Sequence, residues 1–232
     1  MALTPLQAFA QRRGQNLSDL ELTDLGRMDP SSDAARSTLE RLVTLASTGA
    51  TLAMCTCSAC FRVGWGTEQR GDLALMWAKR AADCGYPPGE FELALCYESG
   101  VGVERDIEAA LRLFDKAATG GYSAAAFHLA MLYHVGDVVA TDPERALSCA
   151  MAAIDLGDSF AAFELASWYE DGQGVPQDHA CALRWYVFAA EHGSIFARTR
   201  LAKAHSNGEL GLQVDRQRAE QFARVAEELD TP

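Results

Sequence analysis

The chain has 232 residues, of which 49% are hydrophobic, and its 20 basic and 32 acidic residues give a net charge of −12. A chain of this length can bury a sizeable core. Its acidic balance disfavours binding to nucleic acid or to anionic membranes, which need clustered Lys and Arg. No apolar run reaches the ~18 residues of a membrane span, and Met1 to Gln7 lack the basic and apolar segments of a secretory signal. The seven Cys lack paired spacing, so we expect reduced thiols in a cytoplasmic protein.

The first 49 residues are the least regular part of the chain, and we expect a helical cap there. Short helices are predicted at 5–12 and 17–27. The segment Asp29–Asp33 is a turn and a helix-start signal, and it precedes a helix predicted at 34–48. That helix ends at Gly49 and indicates the back half of a degenerate repeat. An end repeat is expected to be atypical, because one of its faces meets water instead of a neighbour.

From about residue 50 onward, one pattern returns every 36 residues. The segment from Phe91 to Val103 recurs as Phe127 to Val139 and again as Phe163 to Val175. A period of this length is typical of solenoids built from helix pairs. We therefore predict an all-α protein, an α-solenoid of about 11–13 helices in one continuous domain, with no sheet. The five predicted repeats are 50–85, 86–121, 122–157, 158–193 and 194–229.

Each predicted repeat consists of helix A, a turn that contains Gly, helix B and a closing Gly. In the second repeat, helix A is predicted at about 88–98 and helix B at about 106–119. An Asp whose side chain can accept hydrogen bonds from free amides recurs at the start of helix B, as Asp106, Asp142 and Asp178. Columns of residues in helical register predict the core. On helix B they include Ala81, Ala117, Ala153 and Ala189, and also Trp77, Leu113, Cys149 and Trp185. We expect Trp185 to be buried between helices.

The copy from Ala162 to Gly193 carries the repeat pattern most completely. Its matching residues are Leu165, Tyr169, Gly172, Gly174, Val175, Asp178, Ala182, Trp185, Tyr186, Ala189, Ala190 and Gly193. With these residues the chain resembles the Sel-like repeat (SLR) proteins, relatives of the tetratricopeptide repeats, over about residues 50–229. The resemblance implies a right-handed α-superhelix that serves as a scaffold or adaptor for other proteins. It implies no reaction, because a fold alone does not fix a function.

Cys55, Cys57 and Cys60 form the first pattern that could carry chemistry. On a helix, Cys55 and Cys57 point about 200° apart, so their thiolates cannot converge on one metal ion without unwinding. The simpler interpretation is that all three are small, buried hydrophobic side chains. A thiol- or metal-based redox protein that uses these residues together with Cys84 stays open as an alternative.

His128 and His134 form the second such pattern, and they lie near four carboxylates, Glu98, Glu164, Glu170 and Asp171. No recognisable motif places a Ser or Cys nucleophile beside them, so a hydrolase is the disfavoured alternative. Gly100 and Gly102 lack the Lys and the strand context of a phosphate-binding loop. We expect no enzymatic activity, no cofactor and no bound metal.

The most informative surface is the inner, concave face, which in this kind of superhelix is lined mainly by helix A. The predicted partner-binding residues on it are Phe91, Leu95, Glu98, Phe127, Met131, His134, Phe163 and Glu170. Aromatic and Met side chains flanked by carboxylates suit a protein segment with an apolar anchor and a basic flank. The sequence thus predicts a non-enzymatic scaffold, adaptor or inhibitor, and a regulatory or immunity-type protein falls within this class. The alternative is that the Phe side chains belong partly to the core and that the polar side chains are merely solvated.

Overall fold

The computed structural model describes the chain from residue 28 to residue 230, with side chains through residue 225. Within this range the chain forms eleven α-helices and no β-strand, so the all-α prediction is confirmed for these residues. The helices are α1 Asp33–Ser47, α2 Thr51–Val63, α3 Gly71–Asp83, α4 Pro87–Ser99, α5 Ile107–Thr119, α6 Ser123–Val135, α7 Pro143–Asp155, α8 Ser159–Asp171, α9 His179–Glu191, α10 Ile195–Asn207 and α11 Arg216–Asp230. The helices predicted at 5–12 and 17–27 lie outside the described residues.

Helices A and B alternate from α2 onward, and their ends have local causes. The side chains of Asp106, Asp142 and Asp178 accept hydrogen bonds from backbone amides in the first turns of α5, α7 and α9, so the predicted caps are confirmed. Each helix A ends at a glycine with a left-handed backbone, such as Gly172 with φ of 71°. A residue with a Cβ resists that conformation, and the helix therefore stops at this position.

The chain divides into two compact units, one through Gly120 and one from Gly121. In the first unit, α1 packs on α2, α3 on α2 and α4, and α4 on α2 and α5. The approach of α3 to α4 is close enough that a Cβ added at Gly89 would lie 2.5 Å from the carbonyl carbon of Ala81. Only glycine fits there, so this residue fixes how deeply α4 sits against α3. The single continuous domain stays a prediction.

The second unit repeats the same arrangement, with α7 on α6, α8 on α7 and α9, and α10 on α9 and α11. Its core contains small residues in register, together with two leucines, and these fully buried residues are Ala130, Ala153, Leu165, Ala166, Ala182, Ala189 and Leu201. Alanine lets two helix backbones approach closely, because little side chain stands between them. The predicted alanine column of helix B, with Ala81, Ala117, Ala153 and Ala189, is therefore part of the core of each unit.

One predicted core column is wrong, because the buried position on helix B lies one residue further along the chain. Trp185 is only half-buried, and its ring packs edge-on against Phe188 with centroids 5.7 Å apart. The next residue, Tyr186, is buried instead. Leu113 and Cys149 are also half-buried, whereas their successors Phe114 and Ala150 are buried. Adjacent residues on a helix differ by about 100° in direction, so the two columns face different surroundings. Trp77 alone in the predicted column is buried.

Phe114→Ala tests this register in α5. The Phe114 side chain is 0% exposed, so its truncation should leave a cavity and lower the free energy of unfolding by about 3–5 kcal/mol. The neighbouring Leu113→Ala is the control, and its half-buried side chain should cost only about 1 kcal/mol. Urea unfolding followed by circular dichroism measures both. Equal losses for the two variants would contradict the assigned register.

Candidate partner-binding site

Four phenylalanines on α6, α8 and α10 form a continuous set of ring contacts in the second unit. We name Phe127, Phe160, Phe163 and Phe196 the phenylalanine row. The rings of Phe127 and Phe160 meet edge-on with centroids 5.4 Å apart, and the Phe196 ring lies 5.8 Å from both Phe160 and Phe163. Phe160 and Phe163 are three residues apart on α8, so they share one helix face. Such edge-to-face and offset contacts are favourable for aromatic rings.

The phenylalanine row is not buried like the alanine columns beneath it. Phe196 is 48% exposed, and the other three side chains are half-buried. On its inner side, Phe163 packs against the buried Tyr186, with ring centroids 5.6 Å apart. The row is therefore held in place by the fold while part of its apolar surface remains accessible.

Two members of the phenylalanine row belong to the predicted partner-binding set, whereas Phe160 and Phe196 are predicted on the same concave face, one turn earlier, but outside that set. Phe127 and Phe163 are predicted site residues, and the structure brings them together with Phe160 and Phe196. The predicted set followed the column of Phe91, which ends at Thr199 in the last repeat. A second aromatic column, Phe160 and Phe196, has the same 36-residue spacing, and that spacing was the available signal.

Three predicted residues lie on α4 in the first unit. Phe91, Leu95 and Glu98 are spaced to share one face of that helix, and all three are half-buried. The Phe91 ring packs against the buried Phe114 with centroids 5.4 Å apart. Phe91 thus contributes to packing within its own repeat as well as to the surface of α4.

His134, a further predicted residue, is engaged in packing within the second unit. Its ring stacks on that of Trp168, with centroids 4.0 Å apart and planes within 9°. Burial lowers the pKa of His134, and a hydrogen bond with Gln173 opposes that shift only in part. Met131, one turn earlier on α6, is half-buried. A role for these two side chains in partner binding stays a prediction.

Glu170, the last predicted residue, lies in an ion network that links α8, α9 and α10. It accepts a hydrogen bond of 2.7 Å from the Tyr186 hydroxyl and bonds from two nitrogens of Arg200, of which Nε lies 3.0 Å from Oε2. Arg200 also donates to Glu209 at 2.6 Å. Burial opposes ionisation of Glu170, but the bonds from Arg200 and Tyr186 outweigh it and lower the pKa of this carboxyl. Arg200, which supplies the charge that Glu170 needs, is not among the site residues predicted from the sequence.

A second ion pair lies at the equivalent repeat positions in the first unit, with the signs exchanged. Arg62 on α2 lies 3.4 Å from Glu92 on α4, and the Glu92 side chain is only 2% exposed. Burial raises the pKa of Glu92, although Arg62 opposes the shift. Both pairs join residues 30 apart, at equivalent positions of the 36-residue repeat. They tie the end of one helix A to the middle of the next.

Comparison with known proteins places this geometry in a family. The sequence model of the Sel1 repeat family matches residues 51–86, 87–122, 123–158, 159–194 and 195–230. The chain belongs to the Sel1 repeat family. The resemblance to Sel-like repeat proteins and the α-solenoid class are thereby confirmed. Sel1 repeat proteins act in protein–protein interaction, and the family is in general non-enzymatic.

Solved structures share the fold of this Sel1 repeat protein. A Sel1 repeat protein from Oxalobacter formigenes is 24% identical with a TM-score of 0.68, over 97% of this chain and 87% of that one. A protective antigen of uropathogenic Escherichia coli with an SLR fold is 30% identical with a TM-score of 0.63, over 82% of this chain and 40% of that one. An immunity protein of Pseudomonas aeruginosa is 20% identical with a TM-score of 0.65, over 99% and 84%. A comparison with curated proteins found no significant match.

The cysteines of the Sel1 repeat protein occupy contrasting environments. Cys55, Cys57 and Cys60 are buried in α2, and Cys84 at the end of α3 is exposed. Burial raises the pKa of Cys57 to about 12 and that of Cys60 beyond its usual range. A thiol must ionise to act as a nucleophile or metal ligand, so these environments oppose the redox alternative. Among residues 28–225, no group of three or more His, Cys, Asp or Glu could hold a metal ion. No helix in the described part of the chain is long and apolar enough to span a membrane.

Alkylation tests this view of the cysteines. In the folded protein, iodoacetamide at about pH 8 should modify Cys84 first, because the Cys57 and Cys60 thiols are protonated and inaccessible. Peptide mass spectrometry before and after addition of denaturant measures the order of modification. Rapid modification of Cys57 or Cys60 in the native state would instead favour the redox alternative.

Glu170→Gln tests the ion network through its pH dependence. Because the folded-state pKa of Glu170 is lowered, its contribution to stability is present above its ordinary pKa of 4.5 and is lost as the pH falls through the folded value. The variant should be less stable than wild type by about 1–3 kcal/mol near neutral pH, and the difference should shrink below about pH 4. Urea unfolding at several pH values measures it. The exposed neighbour Asp171→Asn is the control, and a pH-independent difference for Glu170→Gln would contradict the network.

Proposed function

We propose that this Sel1 repeat protein is a non-enzymatic interaction module that binds a segment of a protein partner on the phenylalanine row. The observation that carries this proposal is the set of four aromatic rings held in contact at the surface of α6, α8 and α10. Exposed apolar patches on a folded domain are typical of interaction sites. Aromatic side chains dominate the affinity of such sites, because a partner that covers them removes much apolar surface from contact with water.

The net charge of the sequence that forms α6 to α9 favours a basic partner, whereas α10 carries three basic residues, Arg198, Arg200 and Lys203. From Gly121 to Ser194 the sequence has ten acidic and two basic residues, which give this stretch a net charge of −8. Complementary charge mainly speeds association and selects among partners, whereas the apolar anchors slow dissociation. The partner segment that fits both features carries an apolar anchor with a basic flank.

The wider set of predicted residues extends the same hypothesis to the first unit. Phe91, Leu95 and Glu98 have the half-buried character of the residues in the phenylalanine row, and we propose that helix A of the second repeat also contacts the partner. Scaffold, adaptor and inhibitor are narrower forms of this function. An immunity-type role is one such form, and it rests on likeness of fold to immunity proteins of Pseudomonas aeruginosa. A cytoplasmic location is part of the proposal.

Phe196→Ser tests the proposed site. Affinity capture from the native cell identifies candidate partners, and calorimetry with the purified partner then measures the affinity. Loss of one desolvated aromatic anchor typically costs about 2 kcal/mol, so the affinity should fall about 30-fold. Val214→Ser is the matched control, because Val214 is 59% exposed and has no part in the ring contacts. It should bind like wild type.

A stability control and two contradicting results complete the test of the phenylalanine row. Thermal unfolding must show that Phe196→Ser folds as stably as the Val214→Ser control. Full affinity in Phe196→Ser and in Phe160→Ser would move the site away from the phenylalanine row. Sedimentation velocity adds a further check, because self-association that Phe196→Ser abolishes would assign the row to a second copy of this chain.

A further inference from the structure

Glu164 is a half-buried carboxylate on α8, the helix that carries Phe160 and Phe163 of the phenylalanine row. It lies on α8 directly after Phe163, four residues after Phe160 and three before Ser167. Residues three and four apart are neighbours on a helix surface, so Glu164 shares a face with Phe160 and Ser167. The side-chain carboxylate of Glu164 makes no hydrogen bond or ion pair with any other residue in the described part of the chain.

This lack of a partner distinguishes Glu164 from the equivalent residues of other repeats. Glu92, at the same position two repeats earlier, pairs with Arg62, and Arg200, one repeat later, pairs with Glu170. In both cases the partner lies 30 residues earlier in the chain. The residue 30 before Glu164 is His134, whose ring stacks on Trp168 instead and is hydrogen-bonded to Gln173. The position 30 residues earlier, which supplies the opposite charge to Glu92 and to Arg200, does not supply one to Glu164.

A carboxylate in these surroundings is favoured by a cation from outside. Burial raises the pKa of Glu164, because the charged form loses water without gaining a compensating charge. Phe160 and Phe163, on the same helix, offer apolar surface for the aliphatic part of a long basic side chain and π faces for its charged end. Both features lie on the same helix as the centre of the phenylalanine row.

We propose that Glu164 binds an arginine side chain of the partner segment, next to the apolar anchor that the phenylalanine row receives. This inference rests on the proposed function and names the group that the site selects. Arginine fits better than lysine, because its planar guanidinium can bond both carboxylate oxygens and stack on an aromatic ring at the same time. Glu164 then determines specificity, and the phenylalanine row supplies most of the affinity.

Peptide selection tests the inference without a known partner. A phage-displayed library of random dodecapeptides is selected in parallel against wild type, Glu164→Gln, Asp171→Asn and Phe196→Ser. Gln keeps the shape of Glu and removes its charge. Asp171 is exposed at the end of the same helix, so Asp171→Asn matches the change in net charge. Thermal unfolding should show that Glu164→Gln is at least as stable as wild type, since it removes a half-buried, uncompensated charge.

Wild type and Asp171→Asn should enrich peptides that carry Arg close to a large apolar residue. Glu164→Gln should keep the apolar enrichment and lose the Arg enrichment, and Phe196→Ser should lose the apolar enrichment. A synthetic peptide from the wild-type selection should bind Glu164→Gln at least about tenfold more weakly, since bonds to charged groups typically contribute that much. Replacing its Arg with citrulline should weaken binding to wild type by a similar factor. The same replacement should have little effect on binding to Glu164→Gln, because the two changes remove one interaction.

Three results would overturn the inference. Arg enrichment that survives in Glu164→Gln would remove Glu164 from the site while leaving the proposed function intact. The absence of any enrichment that depends on Phe196 would overturn both proposals together. A monomer–dimer equilibrium that Glu164→Gln abolishes would assign Glu164 to contacts between two copies of this chain.

Discussion

The close approach of helix backbones through alanine and glycine is the constraint on which the rest of this structure depends. The alanine columns are almost fully buried, and Gly89 leaves no space for a Cβ between α3 and α4. The same core also holds buried aromatic side chains, such as Phe114 and Tyr186, beside the alanines. In the second unit, further phenylalanines of helix A pack on one another and remain partly exposed at the surface. The buried alanine columns thus set the spacing of the helices that carry these accessible rings.

Polar contacts also connect successive repeats. Arg62 with Glu92, and Glu170 with Arg200, each connect two neighbouring copies of helix A. Breaking such a pair leaves a charge in a partly dry environment, and that cost is larger than the net gain from forming the pair. Each pair is therefore costly to break and helps to fix how two neighbouring repeats stack. His134 and Glu164, at the corresponding positions, depart from this rule, and the departure occurs beside the phenylalanine row.

Much of the fold could be predicted from the sequence, because a 36-residue period constrains every repeat at once. The caps at Asp106, Asp142 and Asp178 and the bounds of α4 and α5 follow from local signals, and they agree with the structure to within one residue. The column of Trp185 could not be predicted reliably. Periodicity shows that a position recurs, but it does not show which of two adjacent recurring positions faces the neighbouring helix, as Tyr186 does.

The candidate site was harder to predict for a related reason. Phe160 and Phe163 contact Phe196 of the next repeat. Phe163 and Phe196 occupy different positions of the repeat, so the 36-residue period does not reveal their contact. The roles of His134 and Glu170 depend on Trp168 and Arg200, which lie 34 and 30 residues away in the chain. Their internal partners become apparent only when neighbouring repeats are stacked.

The exchanged signs of the two ion pairs have a consequence for how such a gene can change. A repeat array can lose or gain a whole repeat, because each repeat contacts only its neighbours. Suppose that the repeats between the one that carries Arg62 and the one that carries Arg200 were deleted. Those two repeats would then be neighbours, and two arginines would face each other in place of an ion pair. If the repeat that carries Glu170 were followed by the one that carries Glu92, two carboxylates would meet. Like charges in a half-buried contact are strongly unfavourable. The charges between neighbouring repeats therefore constrain the order of the repeats and not only their number.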